Sequence, residues 1–204
     1  VTALLTLRLL HERGALQGLD ARVVLASDEE QGSPTALPVL RSAAEGADVA
    51  LCFEAARPCG GLVVARKGYG AVRVKVEGKT GHAGIAHDTT VNAFSALCAF
   101  VTEAERLEAH HEGLTISPGG PVTSSPGSVN QVPDQASCDL EFRFATEPAG
   151  QDTWERLRAL AARVEGETGA RFVLQGGVEC PPMARGARSD RLLASYIDAA
   201  RSLG

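Results

Sequence analysis

Residues 69 to 77 read YGAVRVKVE, and the alternation in this stretch decides the fold. Apolar and charged side chains take turns along its second half, in the order Val72, Arg73, Val74, Lys75, Val76, Glu77. A period of two is typical of a strand that buries one face and exposes the other. Residues 138–144 repeat the pattern, with Cys138, Leu140, Phe142 and Phe144 as the apolar set. We therefore predict two strands of a sheet that is covered on one side.

The segments around these two strands complete a recognisable unit. Residues 91–104 and 154–164 place apolar side chains at helical spacing, and strands are predicted near residues 114–123 and 171–175. The resulting order, β-α-β-β-α-β, is that of a ferredoxin-like domain, which has one sheet with two helices on one face.

The first part of the chain has a different pattern. A helix is predicted up to Gly14, and another ends near Gly46. Between and after them, residues 22–26 and 48–53 form short apolar runs of the kind found in strands buried on both faces. This alternation predicts a partial, open, mainly parallel α/β sheet. We assign this α/β domain to residues 1–67, the inserted ferredoxin-like domain to 68–178, and a return to the first domain to 179–204.

Composition excludes several functional classes. The 204 residues carry a net charge of −5, which argues against a nucleic-acid binder. No apolar run is long enough to span a membrane. The five cysteines have no CxxC spacing, so we expect buried thiols rather than disulfides, in a reducing compartment such as the cytoplasm. The chain starts in a helix without Met or signal-peptide features, which suggests an internal fragment of a longer protein.

Acidic residues follow both predicted buried strands, at the sheet edge where open α/β sheets bind ligands. Asp28-Glu29-Glu30 follows the first strand and Glu54 the second. The ordinary interpretation is that such acids begin a turn or cap a helix, and spacing alone favours it. A nucleotide-binding interpretation of Gly78-Lys79-Thr80 fails, because Arg73 stands where a phosphate loop requires glycine.

Two further candidates lie in the ferredoxin-like domain. Residues 78–84 read GKTGHAG, so a glycine-rich loop presents His82 between a strand and a helix. A structural histidine and a functional one are equally compatible with this pattern. Arg143 lies on the polar face of a strand beside Glu141, where it forms either a solvated ion pair or a fork for a substrate carboxylate.

Taken in order, these motifs resemble the zinc-dependent aminoacylase/carboxypeptidase family, which includes glutamate carboxypeptidase, acetylornithine deacetylase and succinyl-diaminopimelate desuccinylase. The resemblance rests on five segments: DEEQGS at 28–33, CFE at 52–54, GKTGHAG at 78–84, GSVNQVP at 127–133 and the strand arginine at 143. It implies a catalytic α/β domain with two zinc ions and an inserted ferredoxin-like lid that forms a homodimer. Its implied substrates are small peptides or N-acyl amino acids.

The resemblance also implies a role for each matching residue. Glu29 matches the general acid/base, and Glu30 and Glu54 match ligands of the two zinc ions. His82 matches the lid histidine that reaches the partner subunit's active site, and Asn130 and Arg143 match lid positions that bind the carboxylate side of the substrate. One departure is that Thr89-Thr90 stands where the family commonly has glycine.

The family's two metal-binding histidines and its bridging aspartate have no counterpart in this sequence. A tight zinc site needs three or four protein ligands, so Glu30 and Glu54 alone do not form one. We therefore expect the parent protein to be a zinc-dependent amidohydrolase and the fragment alone to be inactive. The alternative hypothesis is a non-enzymatic dimerisation or binding module that retains only the fold.

Overall fold

The computed structural model describes residues 2–54, 60–125 and 128–202, and the chain divides into two compact units, Val1–Gly61 and Leu62–Gly204. The first unit contains helix α1 (Thr2–Glu12), a 3-10 turn (Glu29–Gln31) and helix α2 (Leu37–Ala44). Both predicted helices are therefore present. None of the helices in the described residues is long and apolar enough to cross a membrane.

The two strands predicted in the first unit do not form. Residues 22–26 and 48–53 contain no assigned strand, and they are not buried: Leu25 is 80% exposed and Phe53 is 74% exposed. An apolar run indicates that a segment favours burial. To form a strand, the segment also needs a partner strand with which to exchange backbone hydrogen bonds. Within the described part of this unit neither run has such a neighbour.

The second unit confirms the ferredoxin-like domain. Its strands are β1 (Gly68–Glu77), β2 (Thr115–Ser124), β3 (Gln135–Phe144) and β4 (Arg171–Cys180), which form one antiparallel sheet in the order β2-β3-β1-β4. Helices α3 (Ala93–Arg106) and α4 (Glu147–Thr168) pack against this sheet and against each other. Helix α5 (Ala187–Ser202) follows β4 and has no buried residue.

Alternating side chains of β1 and β3 form the centre of the core, as the sequence pattern predicts. Val72, Val74 and Val76 of β1 are at most 2% exposed. The apolar residues of β3 and of both helices close the cluster: Cys138, Leu140, Phe142, Phe144, Ala96, Leu97, Phe100, Leu157, Leu160 and Val164. The charged alternates of β1 and β3 lie on the opposite, open face, where Arg73 makes a two-point ion pair with Asp139.

Local sequence signals fix the ends of the two core helices. The Asn92 Oδ1 accepts a hydrogen bond from the Ser95 N–H at 3.0 Å, which caps α3, and the Thr146 Oγ1 accepts one from the Ala149 N–H at 3.4 Å, which caps α4. Helix α4 ends at Gly169, whose φ of 72° is in the left-handed region that favours glycine.

The prediction that the cysteines are buried is wrong for three of them. Cys138 is buried in β3, and burial raises the pKa of its thiol. Cys52, Cys98 and Cys180 are exposed. The presence of a cysteine at a position does not by itself indicate whether the side chain there faces the core or the solvent. Cys59 lies outside the described residues.

Two glycines of β1 lie beneath the aromatic rings of β3. A Cβ added to Gly70 would lie 2.2 Å from the Phe142 Cζ and 2.6 Å from the Gly177 backbone oxygen. We expect Gly70→Ala to lower the free energy of unfolding by about 1–3 kcal/mol through overpacking. Gly166→Ala is the matched control, because nothing lies within 4 Å of its added Cβ and the helix gains about 0.5–1 kcal/mol. Urea denaturation of both variants tests this, and a Gly70→Ala variant as stable as wild type would contradict it.

Candidate functional site

The glycine-rich loop that carries His82 is joined to the loop that carries Asn130. The first loop connects β1 to α3 and the second connects β2 to β3. Three backbone hydrogen bonds join them: Gly78 N–H to the Asp134 oxygen at 2.7 Å, Val132 N–H to the Gly81 oxygen at 3.0 Å, and Ala83 N–H to the Asn130 oxygen at 2.8 Å. The pairing of β1 with β3 therefore continues beyond the sheet and brings the two loops together.

A close backbone approach explains the first glycine of this loop. A Cβ on Gly78 would lie 2.2 Å from the Val91 backbone oxygen, so no larger residue fits without a shift. The adjacent Lys79 exchanges two backbone hydrogen bonds with Val91, each 2.9 Å long. The loop is thus tied to the start of α3 on one side and to the Asn130 loop on the other.

Hydrogen bonds define which nitrogen of His82 can donate. The Gly84 N–H donates to the His82 Nδ1 at 3.1 Å, so Nδ1 is an acceptor and the neutral ring carries its proton on Nε2. The Asn130 Nδ2 lies 3.3 Å from Nε2. With the His82 proton on Nε2 both atoms are donors, so the two N–H groups lie side by side and can donate to one shared acceptor. Both side chains are exposed. The arrangement offers a polarised N–H donor at the surface.

Three neighbouring residues, missed in the sequence-based assignment, complete this pocket. The Thr80 hydroxyl donates to the Val132 backbone oxygen at 2.9 Å and accepts a bond from the Gln131 Nε2 at 3.2 Å. Ser128 donates to the Asn130 side chain. They border an open surface depression of about 330 Å³, which is lined by Thr80, Gly81, His82, Ser128, Asn130 and Gln131. Thr80 lies in the GKTGHAG motif and Gln131 in the GSVNQVP motif. Their places in these motifs are the signal by which the sequence could have identified them.

The turn that carries Glu29 and Glu30 is held by the preceding aspartate. The Asp28 Oδ2 accepts bonds from the Thr35 N–H at 2.7 Å, the Thr35 hydroxyl at 2.6 Å and the Ala36 N–H at 3.2 Å. The bonds from Thr35 hold the pKa of Asp28 below its usual value. Asp28 thus ties the 3-10 turn to the two residues that precede α2, although its side chain caps neither element. Glu29 and Glu30 are exposed and have no side-chain hydrogen bond within the described residues.

The structure does not assemble a metal centre from the predicted ligands. Glu54 is exposed and lies directly before residues 55–59, which are outside the described range. Among the described residues no group of three or more His, Cys, Asp or Glu side chains could hold a metal ion. Glu30 and Glu54 supply oxygen donors of a suitable kind, but they do not close a site together.

Arg143 lies on the open face of the sheet, away from the His82 pocket. Its Nε donates to the Glu141 Oε1 at 2.7 Å, and this bond raises the pKa of the guanidinium. The guanidinium carbon lies 5.3 Å from the centre of the Tyr69 ring. Arg143 is near one end of β3, and the Asn130 loop precedes the other end at Gln135, eight residues away. At a rise of about 3.4 Å per residue this separates the two regions by about 27 Å.

Comparison with known proteins identifies the family of this domain. A family model described as "Peptidase dimerisation domain" matches residues 64–169. Carboxypeptidase G2 of Pseudomonas sp. (strain RS-16) is 26% identical over 98% of this chain, which spans 48% of that protein.

Solved structures give the same fold. The aminopeptidase PepT of Bacillus cereus superposes with a TM-score of 0.61 over 70% of this chain and 37% of its own, at 21% identity. A putative amidohydrolase/peptidase of Burkholderia cenocepacia superposes with a TM-score of 0.58 over 70% of this chain and 34% of its own, at 26% identity.

We expect neutral His82 to carry its proton on Nε2, because the Gly84 N–H occupies Nδ1. Long-range ¹H–¹⁵N correlation spectra of the chain in alkaline buffer measure this directly. The Gly84→Ala variant is the control, since it keeps the N–H and its Cβ would lie at an ordinary 3.6 Å from the His82 Cε1. A ring that carries its proton mainly on Nδ1 would contradict the geometry.

Proposed function

Because this chain belongs to the peptidase dimerisation domain family, we propose that it is part of a metal-dependent hydrolase that cleaves the amide bond of small peptides or N-acyl amino acids. The observation that carries the proposal is the pairing of His82 with Asn130 in one surface pocket of this domain. The names of the similar proteins, a carboxypeptidase, an aminopeptidase and an amidohydrolase/peptidase, support the reaction class. The chain spans about half of that carboxypeptidase, so the activity belongs to a larger protein.

Glu29 is the proposed general acid/base. Its carboxylate is exposed and free of side-chain hydrogen bonds within the described residues, so it is available to accept a proton from an attacking water. The same oxygen then delivers the proton to the nitrogen of the leaving amine. Positioned proton transfer of this kind typically contributes about 10²–10⁴-fold to a rate. Asp28 supports the role because it fixes the turn on which Glu29 lies.

Glu30 and Glu54 are the proposed ligands of two zinc ions, with the other ligands supplied by the rest of the parent protein. Zinc accepts carboxylate oxygens and, when bound, lowers the pKa of a water to about 7. Exposed apolar side chains in the first unit support a larger catalytic domain, since they form the kind of surface that further chain would cover. They include Leu5, Leu9, Leu25, Leu51 and Phe53.

His82 and Asn130 are the proposed stabilisers of the oxyanion that forms when water attacks the amide carbonyl. An Nε2–H that is held by a second hydrogen bond on Nδ1 is oriented before the reaction, so it needs no rearrangement as charge develops. Removal of one such donor typically costs about 10²–10³-fold in kcat.

Arg143 is the proposed contact for the substrate carboxylate. Because it lies about 27 Å along the sheet from the Asn130 loop, one small substrate cannot touch both regions of the same chain. A homodimer resolves this, since one subunit supplies Arg143 and the other supplies His82 and Asn130. The sheet supports self-association, because β2 and β4 leave two open edges at which another chain can pair.

Mixing two inactive variants of the full-length dimer tests this arrangement. We expect a His82→Ala protein mixed with a Glu29→Gln protein to regain about a quarter of the wild-type activity after subunit exchange. Half of the dimers would then be mixed, and each would hold one complete site. A mixture of His82→Ala with Arg143→Ala should recover activity for the same reason. Mixed dimers that show no more activity than either parent would contradict a site shared between subunits.

Metal content provides the control for the assigned roles. Glu29→Gln should keep its zinc because the amide preserves the shape and removes only the proton transfer, whereas Glu30→Gln should lose zinc. Metal analysis of the purified full-length variants measures both. Should Glu29→Gln lose zinc while Glu30→Gln retains it, the two roles are reversed.

The second candidate function is a dimerisation module without catalysis, favoured by the lack of a three-ligand cluster among the described residues. A full-length protein that dimerises but binds no zinc and cleaves no N-acyl amino acid would support this alternative. The exposed thiols of Cys52, Cys98 and Cys180 suit a reducing compartment, and we propose the cytoplasm for either function.

A further inference from the structure

We propose that Tyr69 is a positioning residue that holds the guanidinium of Arg143 for a substrate carboxylate, a role that rests on the proposed function of Arg143. The sequence motifs do not predict Tyr69 as a site residue. Its position beside Arg143 follows from the register of β1 with β3. The two residues are directly opposite each other, so their side chains emerge on the same face of the sheet.

The ring of Tyr69 provides a flat surface for the guanidinium. The Arg143 Cζ lies 5.3 Å from the ring centre, within the range of a cation–π contact. Tyr69 is half-buried, whereas Arg143 is exposed. A half-buried ring near the end of a strand pair is still held more firmly than a long, exposed arginine side chain, so the ring restrains the arginine rather than the reverse.

Glu141 leaves the functional edge of the guanidinium free. It accepts a hydrogen bond from Nε alone, and Nη1 and Nη2 have no partner in the part of the chain that the structure describes. These two nitrogens form the edge that binds a carboxylate through two parallel hydrogen bonds. The ring beneath and the carboxylate beside it thus restrain the guanidinium on two sides and leave the third open.

This geometry narrows the proposed class of substrates. A restrained two-nitrogen edge favours a planar carboxylate over a carboxamide, which offers one acceptor oxygen where the carboxylate offers two. The hydrolase would therefore prefer substrates with a free carboxylate next to the scissile amide. Tyr69 contributes to this preference without touching the reacting atoms.

The experiment compares variants of the full-length enzyme on an N-acyl amino acid and on the corresponding amino-acid amide. Tyr69→Ile should raise KM for the carboxylate substrate about threefold to fivefold and leave kcat unchanged, because it removes the ring but no reacting group. Tyr69→Phe keeps the ring and should stay within about twofold of wild type. KM for the amide substrate should not change in either variant. Should Tyr69→Ile fail to fold, Tyr69→Thr provides the same test in a residue suited to strands.

Arg143→Ala separates failure of this inference from failure of the proposed function. It should raise KM for the carboxylate substrate about tenfold or more. A rise in Arg143→Ala without one in Tyr69→Ile would overturn the role of Tyr69 alone. An unchanged KM in Arg143→Ala would overturn the substrate contact, and with it this inference.

An NMR signal gives a readout that does not depend on activity. The side-chain protons of Arg143 over the ring should show an upfield ring-current shift in the 204-residue chain. The shift should persist in Tyr69→Phe and disappear in Tyr69→Ile while backbone signals of the sheet stay in place. Arg143 signals that are the same in wild type and Tyr69→Ile would contradict the contact.

Discussion

The pairing of β1 with β3 is the constraint on which the rest of the second unit depends. Its register is continuous from Gly68 opposite Phe144 to Glu77 opposite Gln135, and backbone hydrogen bonds extend it into both adjoining loops. A slip of one residue would turn every core side chain of the shifted strand to the open face. The alternation that buries three valines of β1 therefore also sets the positions of the proposed site residues His82, Asn130 and Arg143.

The same pairing separates the two proposed functional regions within one chain. At one end it brings His82 to Asn130, and at the other it sets Tyr69 beside Arg143. These ends are too far apart to act on one small molecule. This separation supports the proposal that two subunits complete each other's sites. The proposed site also includes the carboxylates of Glu29, Glu30 and Glu54 in the first unit.

The sequence allowed most of the second unit to be predicted, since one-faced strands and amphipathic helices have clear periods. It failed for residues 22–26 and 48–53, because apolar character does not reveal whether a strand has a partner to pair with. The motifs pointed to His82 and Asn130 separately, but only the register shows that they meet. Tyr69 belongs to no motif. Its contact with Arg143 depends on the pairing of β1 with β3, which residue spacing along a single strand does not predict.

The most direct test of this account is a nuclear Overhauser measurement on the 204-residue chain with no metal added. The register predicts a contact between the ring protons of His82 and the side-chain amide protons of Asn130, because the His82 Nε2 and the Asn130 Nδ2 lie 3.3 Å apart. It also predicts slow exchange of the Val132 amide proton, which is bonded to the Gly81 oxygen. A folded sheet without the His82–Asn130 contact, and with fast exchange at Val132, would contradict the claim that strand pairing alone builds the pocket.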